Sequence, residues 1–272
     1  MTRTNIASKN QIIESLDSYN IVMIGAGNVS THISRHFHSA GHQISCVYSR
    51  TEESVQRLSG ELGVPGTSNM EKVPLEADFF ILCVPDHTVA EVAEQLQGRK
   101  GIWLHTAGAL SMEVFHGITN EFGVLYPLQS LSKDRNIQKG HIPFLIEASS
   151  LQVMERITAL VLSISERVEE VDSHTRLKVH LAAVFTNNFS NHMVHVAQQI
   201  FEEAKLDAGL LDLLLEETFH KLKEMDAGSA QTGPAVRGDQ ETMNKHIELL
   251  KDHPEWEKLY TFISRDIERS RE

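Results

Sequence analysis

The chain has 272 residues, 41% of them apolar and 23% charged, and a formal net charge of −12. That length exceeds the ~100–200 residues of one domain, and no run approaches the ~18 apolar residues of a membrane-spanning helix. The acidic balance argues against nucleic acid or an anionic membrane as partner, since both require clustered Lys and Arg. Cys46 and Cys83 are too few for a disulfide framework or a thiolate metal site, and the 15 histidines lack ligand spacing, so no metal is expected.

Residues 1–19 are polar, with a short helix expected over Lys9–Ser18. They lack the apolar run of a secretory signal, so a cytoplasmic location is expected. Ile21–Ile24 then forms a fully apolar run ending in Gly, the mark of a buried parallel strand. A helix is predicted over Val29–Ser39 and a second strand over Ile44–Tyr48. After these come a helix at Glu52–Leu62, a short strand at Pro65–Ser68, a strand at Phe79–Val84 and a helix at His87–Leu96. Ile102–His105, Gly123–Tyr126 and Phe144–Ala148 read as further strands. This alternation predicts an α/β fold with a doubly wound, parallel Rossmann sheet.

Beyond Val171 the apolar period changes to three and four, over Leu177–Ala204, Leu210–Leu222, Met243–Leu250 and Trp256–Ile267. Two domains are therefore expected: 1–171, binding a dinucleotide, and 172–272, all helical. Within the second, Asp226–Asp239 reads as a long loop rich in small residues around Pro234. The extent of apolar helix also predicts a homodimer joined through this domain.

Gly25-Ala26-Gly27-Asn28-Val29-Ser30 is a GxGxxG variant with Ser in the third glycine position. Placed between strand and helix, it is expected to hold a pyrophosphate on the amides that open the helix. The second strand ends in Ser49-Arg50-Thr51, where an NAD site carries an acid for the ribose hydroxyls. A guanidinium and hydroxyls suit a 2′-phosphate instead, so NADP is expected over NAD. Alternatively, Arg50 is a turn residue paired with Glu52 or Glu53. Val84-Pro85 ends a buried strand where open sheets bind ligands, placing it against the nicotinamide ribose; Asp86 either functions there or caps the next helix.

Together these residues resemble the superfamily of pyrroline-5-carboxylate reductase, prephenate dehydrogenase, ketopantoate reductase and the beta-hydroxyacid dehydrogenases. The segments His105–Ser111 (HTAGALS), Tyr126–Ser132 (YPLQSLS) and Thr232–Asp239 (TGPAVRGD) look like a bacterial family joining a Rossmann-like NADP-binding domain to a helical C-terminal domain of unknown function. The resemblance implies a C-terminal domain similar to that of 6-phosphogluconate dehydrogenase. It adds a deazaflavin as a less favoured replacement for the nicotinamide. The chain departs from the pattern at Tyr126, where such proteins commonly carry His, which argues against a proton-transfer role there.

Projected at ~100° per residue, His180, Val184, Asn187 and Asn191 share a helix face with Asn188 at its border and Lys178 off it. Such a polar stripe serves either a substrate or a bridge between helices or subunits. The resemblance implies that His180 is the acid/base, with Asn187 or Asn188 orienting a small-molecule substrate. His105 and Gln129 follow strands and are expected near the same cleft. Arg237 either binds a substrate carboxylate or pairs with Asp239. The function expected is NADP-dependent hydride transfer to or from a small carbonyl, imine or hydroxy acid at the domain interface. A non-catalytic NADP(H) sensor or interaction protein is the alternative.

Overall fold

The computed structural model describes residues 18–270; the helix expected at Lys9–Ser18 lies outside them except for its last residue. The chain divides into two compact units, Met1–Asn187 and Asn188–Glu272.

The first unit alternates strand and helix: β1 (Asn20–Ile24), α1 (Asn28–Ser39), β2 (Gln43–Tyr48), α2 (Glu52–Leu62), β3 (Gly66–Thr67), β4 (Glu76–Leu82), α3 (Val89–Leu96), β5 (Lys100–His105) and β6 (Phe122–Pro127). It continues with β7 (Phe144–Ala148), α4 (Leu151–Leu162), β8 (Val168–Glu170) and α5 (Ser173–Ala183). The eight strands form one sheet in the order β3-β2-β1-β4-β5-β6-β7-β8, with its switch point between β1 and β4. Order reversal at that point opens a crevice at the carboxyl ends of the strands, where ligands of such sheets bind. Both sheet faces are buried: Ile21, Met23, Phe79 and Ile81 lie in one apolar cluster, and Val22, Ile24, Phe80 and Leu82 in the other. Continuous rather than alternating apolar strands follow from this double burial.

The doubly wound parallel sheet is as expected except at β7, which pairs antiparallel with β6. A parallel return requires a crossover, usually helical. The connection from Leu128 to Pro143 contains no helix. Helix α4 and strand β8 were not expected. Ser150 caps α4 by accepting from the Val153 amide, and Val153, Ile157, Leu160 and Val161 form its buried face.

The expected helix Leu177–Ala204 is α5, a π-helical segment at Val184–Phe189, and α6 (Ser190–Glu203). The second unit continues with α7 (Asp212–Glu224), α8 (Ala227–Ala230), α9 (Pro234–Arg237), α10 (Gln240–Leu249) and α11 (Pro254–Arg269). The expected long loop Asp226–Asp239 thus contains two single-turn helices. Asp226 caps α8 through the Ser229 amide, and Pro234 opens α9, where its missing N–H costs nothing.

Candidate functional site

The turn after β1 is built to expose amides. Gly25 has φ +114, and a Cβ there would lie 2.3 Å from the Cys83 carbonyl oxygen, so the first glycine is required by conformation and by close approach of β4. Behind the turn, Ser30 Oγ donates to the Gly25 carbonyl at 2.6 Å, Arg57 Nη2 to that of Ala26 at 2.5 Å, and Thr31 Oγ1 to that of Gly27 at 2.8 Å. Ser30, in the third glycine position, is therefore a tie to the loop. Three carbonyls are drawn backward while α1 opens with no side-chain cap and no acidic residue in its first turn. Bare amides at the positive end of a helix form an anion site. A Cβ on Gly27 would meet nothing within 4 Å, so the space that only a glycine leaves open there is available to a ligand's phosphates. The residues present thus fit a dinucleotide.

A cleft of about 230 Å³ runs from Gly25–Gly27 past Ser49 and Arg50 to Val84 and Pro85. Arg50 is exposed and makes no hydrogen bond or ion pair among the described residues. Glu52, its expected partner, instead accepts from Gln56 and Ser68. Asn28 is committed elsewhere, its Oδ1 accepting from the Lys133 amide at 3.2 Å. Val29 is half-buried against the core.

Farther along the same sheet edge, Tyr126 at the end of β6 meets His180 on α5. The phenol oxygen is 3.0 Å from His180 Nδ1, and the rings are edge to face with centroids 5.8 Å apart. A Cβ on Gly108 would lie 2.6 Å from His180 Nδ1 and 2.9 Å from Tyr126 Cε2, so the pair fits only because Gly stands there. Antiparallel pairing of Val124 with Glu147 and of Tyr126 with Leu145 places Tyr126 and Glu147 on one sheet face. Helix α5 covers that face with two contacts one turn apart: Arg176 on Glu147 and His180 on Tyr126. Arg176 is fully buried, ion-paired to Glu147, and also donates to the Leu110 carbonyl and to Ser173 Oγ. Glu147 further accepts from the Ser173 amide and hydroxyl at the helix start, where a carboxylate complements the dipole.

Burial raises the pKa of the Tyr126 phenol; Arg176 opposes the shift and Asp86 adds to it. Asp86, which caps nothing with its side chain, thereby brings the loop after β4 within electrostatic reach of Tyr126.

Of the remaining expected site residues in the first unit, His105 and Gln129 are not gathered here. His105 is fully buried, its Nδ1 accepting from the Ala107 amide, and burial, then Arg176, push its pKa down to about 3. A neutral core imidazole of this kind reaches no cleft. Gln129 is exposed and folds back onto the Ser130 amide. Asn187 and Asn188 are exposed on the π-helical segment, where the spacing of ~100° per residue does not hold, so the projected stripe with His180 is not a straight face. Arg237 ends α9 in the second unit, while Asp239 caps α10 by accepting from the Thr242 amide. Gly108, Arg57, the Arg176–Glu147 pair and the contact of Tyr126 with His180 escaped sequence reasoning. Their one sequence signal was that Gly108 and Tyr126 fall inside two of the three segments carrying the family resemblance.

A Rossmann sheet in order 3-2-1-4-5-6 with an anion-ready glycine turn defines the class: a dinucleotide-binding oxidoreductase fold. Residues 20–103 match the family described as NADP oxidoreductase, coenzyme F420-dependent, and residues 142–267 match a domain of unknown function, DUF2520. A candidate NADP oxidoreductase from Bacteroides fragilis is 36% identical over 94% of this chain and 100% of its own, with a TM-score of 0.89. The chain belongs to that family of NADP oxidoreductase-like proteins. A Thermotoga maritima protein (20% identity, 92% and 99% coverage, TM-score 0.74) shares the fold. So does a Plasmodium falciparum pyrroline carboxylate reductase with NADP bound (8%, 93% and 100%, 0.60). Comparison with curated proteins finds no match. No helix among the described residues is long and apolar enough to cross a membrane.

Proposed function

We propose that the protein is an NADP(H)-dependent oxidoreductase acting on a small carbonyl, imine or hydroxy acid. The carrying observation is the glycine turn whose carbonyls are tied back and whose amides are bare, beside an unpaired Arg50. On this reading the turn amides take the pyrophosphate and Ser49 with Arg50 takes the 2′-phosphate. Val84 and Pro85 wall the cofactor's ribose. Bound there, the nicotinamide supplies or accepts the hydride. His180 exchanges the accompanying proton, and the exposed amides of Asn187 and Asn188 orient the substrate. The Bacteroides relative's description as an NADP oxidoreductase supports NADP as the cofactor. No observation favours a sensor without turnover.

The working form on this proposal is a homodimer. Among the described residues of the second unit, only Ala235 and Met243 are buried apolar side chains, while Leu206, Leu210, Leu213, Leu214 and Phe219 are exposed. A soluble monomer rarely leaves so much apolar surface in water, and a second copy covers it. NADPH consumption measured across keto acids and cyclic imines tests the activity. We expect turnover on at least one compound, lost in His180→Ala. Tight NADPH binding without turnover on any of them overturns the reading.

A further inference from the structure

We infer that Tyr126 is a positioning residue that commits Nδ1 of His180 and leaves Nε2 as the nitrogen that exchanges a proton with substrate. The inference rests on the oxidoreductase reading for its last clause only; the ring arrangement stands on the geometry. Nδ1 lies 3.0 Å from the phenol oxygen, the ring plane is fixed at 80° to that of Tyr126, and Gly108 closes the third side with no room for a methyl group. Among the described residues Nε2 has no hydrogen-bond partner, and it is not one of the sealed polar atoms, so it is left available for one.

A hydroxyl serves this task by accepting from Nδ1–H, as a carboxylate does in a catalytic triad and an amide N–H does not. It accepts from Nδ1 when that nitrogen carries the proton and donates to it when it does not. With the proton on Nδ1, the bond to the phenol oxygen is the same in the neutral ring and in the imidazolium, so only Nε2 changes its bonding as a proton passes. His180 then works as an oriented base or acid in the sense of a nucleophile's partner held by a third group. Tyr126 itself touches no reacting atom. The raised phenol pKa agrees with this, since it keeps the oxygen protonated and neutral across the working range.

The test uses the full-length protein with ¹⁵N-labelled histidine, without cofactor, and with the His180 resonances assigned by their loss in His180→Gln. In the wild type, Nδ1 of His180 is expected to carry a hydrogen-bonded shift. Tyr126→Phe, which removes one oxygen and keeps the ring, is expected to move it to the shift of a free imidazole in tautomer exchange. Gly108→Ala is expected to move the same resonance, because its new Cβ occupies the space beside Nδ1. With a substrate from the panel, Tyr126→Phe is expected to lower kcat about tenfold, the effect of one orienting hydrogen bond, and to leave NADPH affinity unchanged by calorimetry. Unchanged ring resonances in Tyr126→Phe overturn the inference, as do changed resonances with kcat intact. Absence of turnover on every compound overturns the oxidoreductase reading instead, and the resonances still decide the role of Tyr126.

Discussion

The two glycines of the turn should respond oppositely to substitution. At Gly25 an alanine Cβ would stand 2.3 Å from the Cys83 carbonyl oxygen and 2.9 Å from its carbon, both backbone atoms that cannot rotate away. The φ of +114 adds a conformation that L side chains rarely adopt. A conformational cost of ~1–3 kcal/mol and an overpacking cost of ~1–3 kcal/mol together give about 2–6 kcal/mol, against a typical total stability of ~5–15 kcal/mol. At ~2–4 °C per kcal/mol, Gly25→Ala should melt about 5–20 °C below the wild type. Gly27 has φ −82 and ψ −166, extended backbone that a β-branched residue accepts, and nothing within 4 Å of a Cβ. Gly27→Val should therefore cost about 1 kcal/mol or less, from the weaker helix start. It should weaken NADPH binding at least ~100-fold, about 2.8 kcal/mol, because the branched side chain fills the space assigned to the pyrophosphate. Thermal melts followed by circular dichroism and calorimetric titration with NADPH measure the two effects separately. Wild-type affinity in Gly27→Val would refute the reasoning and reduce the motif to a strand-to-helix turn.

Arg50→Ala should lower NADPH affinity ~10–100-fold and leave NADH affinity unchanged, the value of charge-assisted hydrogen bonds to a phosphate; calorimetry that shows an unchanged preference removes Arg50 from the site. For His105 the unfolded imidazole takes up a proton near the ordinary 6.5 and the folded one only near about 3. The unfolded chain binds more protons between those values, so stability is complete above about 6.5 and falls by ~1.4 kcal/mol per unit as pH drops through the interval. Urea midpoints at about pH 7 and about pH 5 should separate less in His105→Gln than in the wild type, and equal slopes would refute a neutral buried imidazole. Light scattering at micromolar concentration should give twice the 30.5 kDa of one chain, with Leu214→Glu shifting the mass to one chain; a wild-type mass of 30.5 kDa would exclude the dimer.

Strand positions were legible because burial on both faces writes continuous apolar runs at Ile21–Ile24 and Phe79–Leu82. Direction was not legible for β7: Phe144–Ala148 carries the same apolar character whether it runs parallel or antiparallel, and only the helix-free link before it distinguishes the two. The glycine turn was readable as a motif. The ties that make it an anion site were not, because Arg57 reaches Ala26 from a different helix. The burial of His105 and the free state of Arg50 likewise depend on neighbours distant in sequence.

The Tyr126–His180 contact shows why a helix projection alone misassembles a site. Along α5, four residues advance ~6 Å from Arg176 to His180. Along the sheet face, the step from Glu147 to Tyr126 combines one strand spacing with two residues of offset, and two residues advance ~6.6 Å. With the ~4.8 Å between strands the two sheet residues are about 8 Å apart, and side chains of different length, Arg176 and His180, reach them from one turn of α5. One turn beyond His180 the chain changes to π geometry at Val184. Insertion of the wider turn rotates Asn187 and Asn188 off the line through Arg176 and His180 and leaves them exposed. Both contacts of α5 join residues far apart in sequence, so they leave no signature in the spacing of polar residues along one helix.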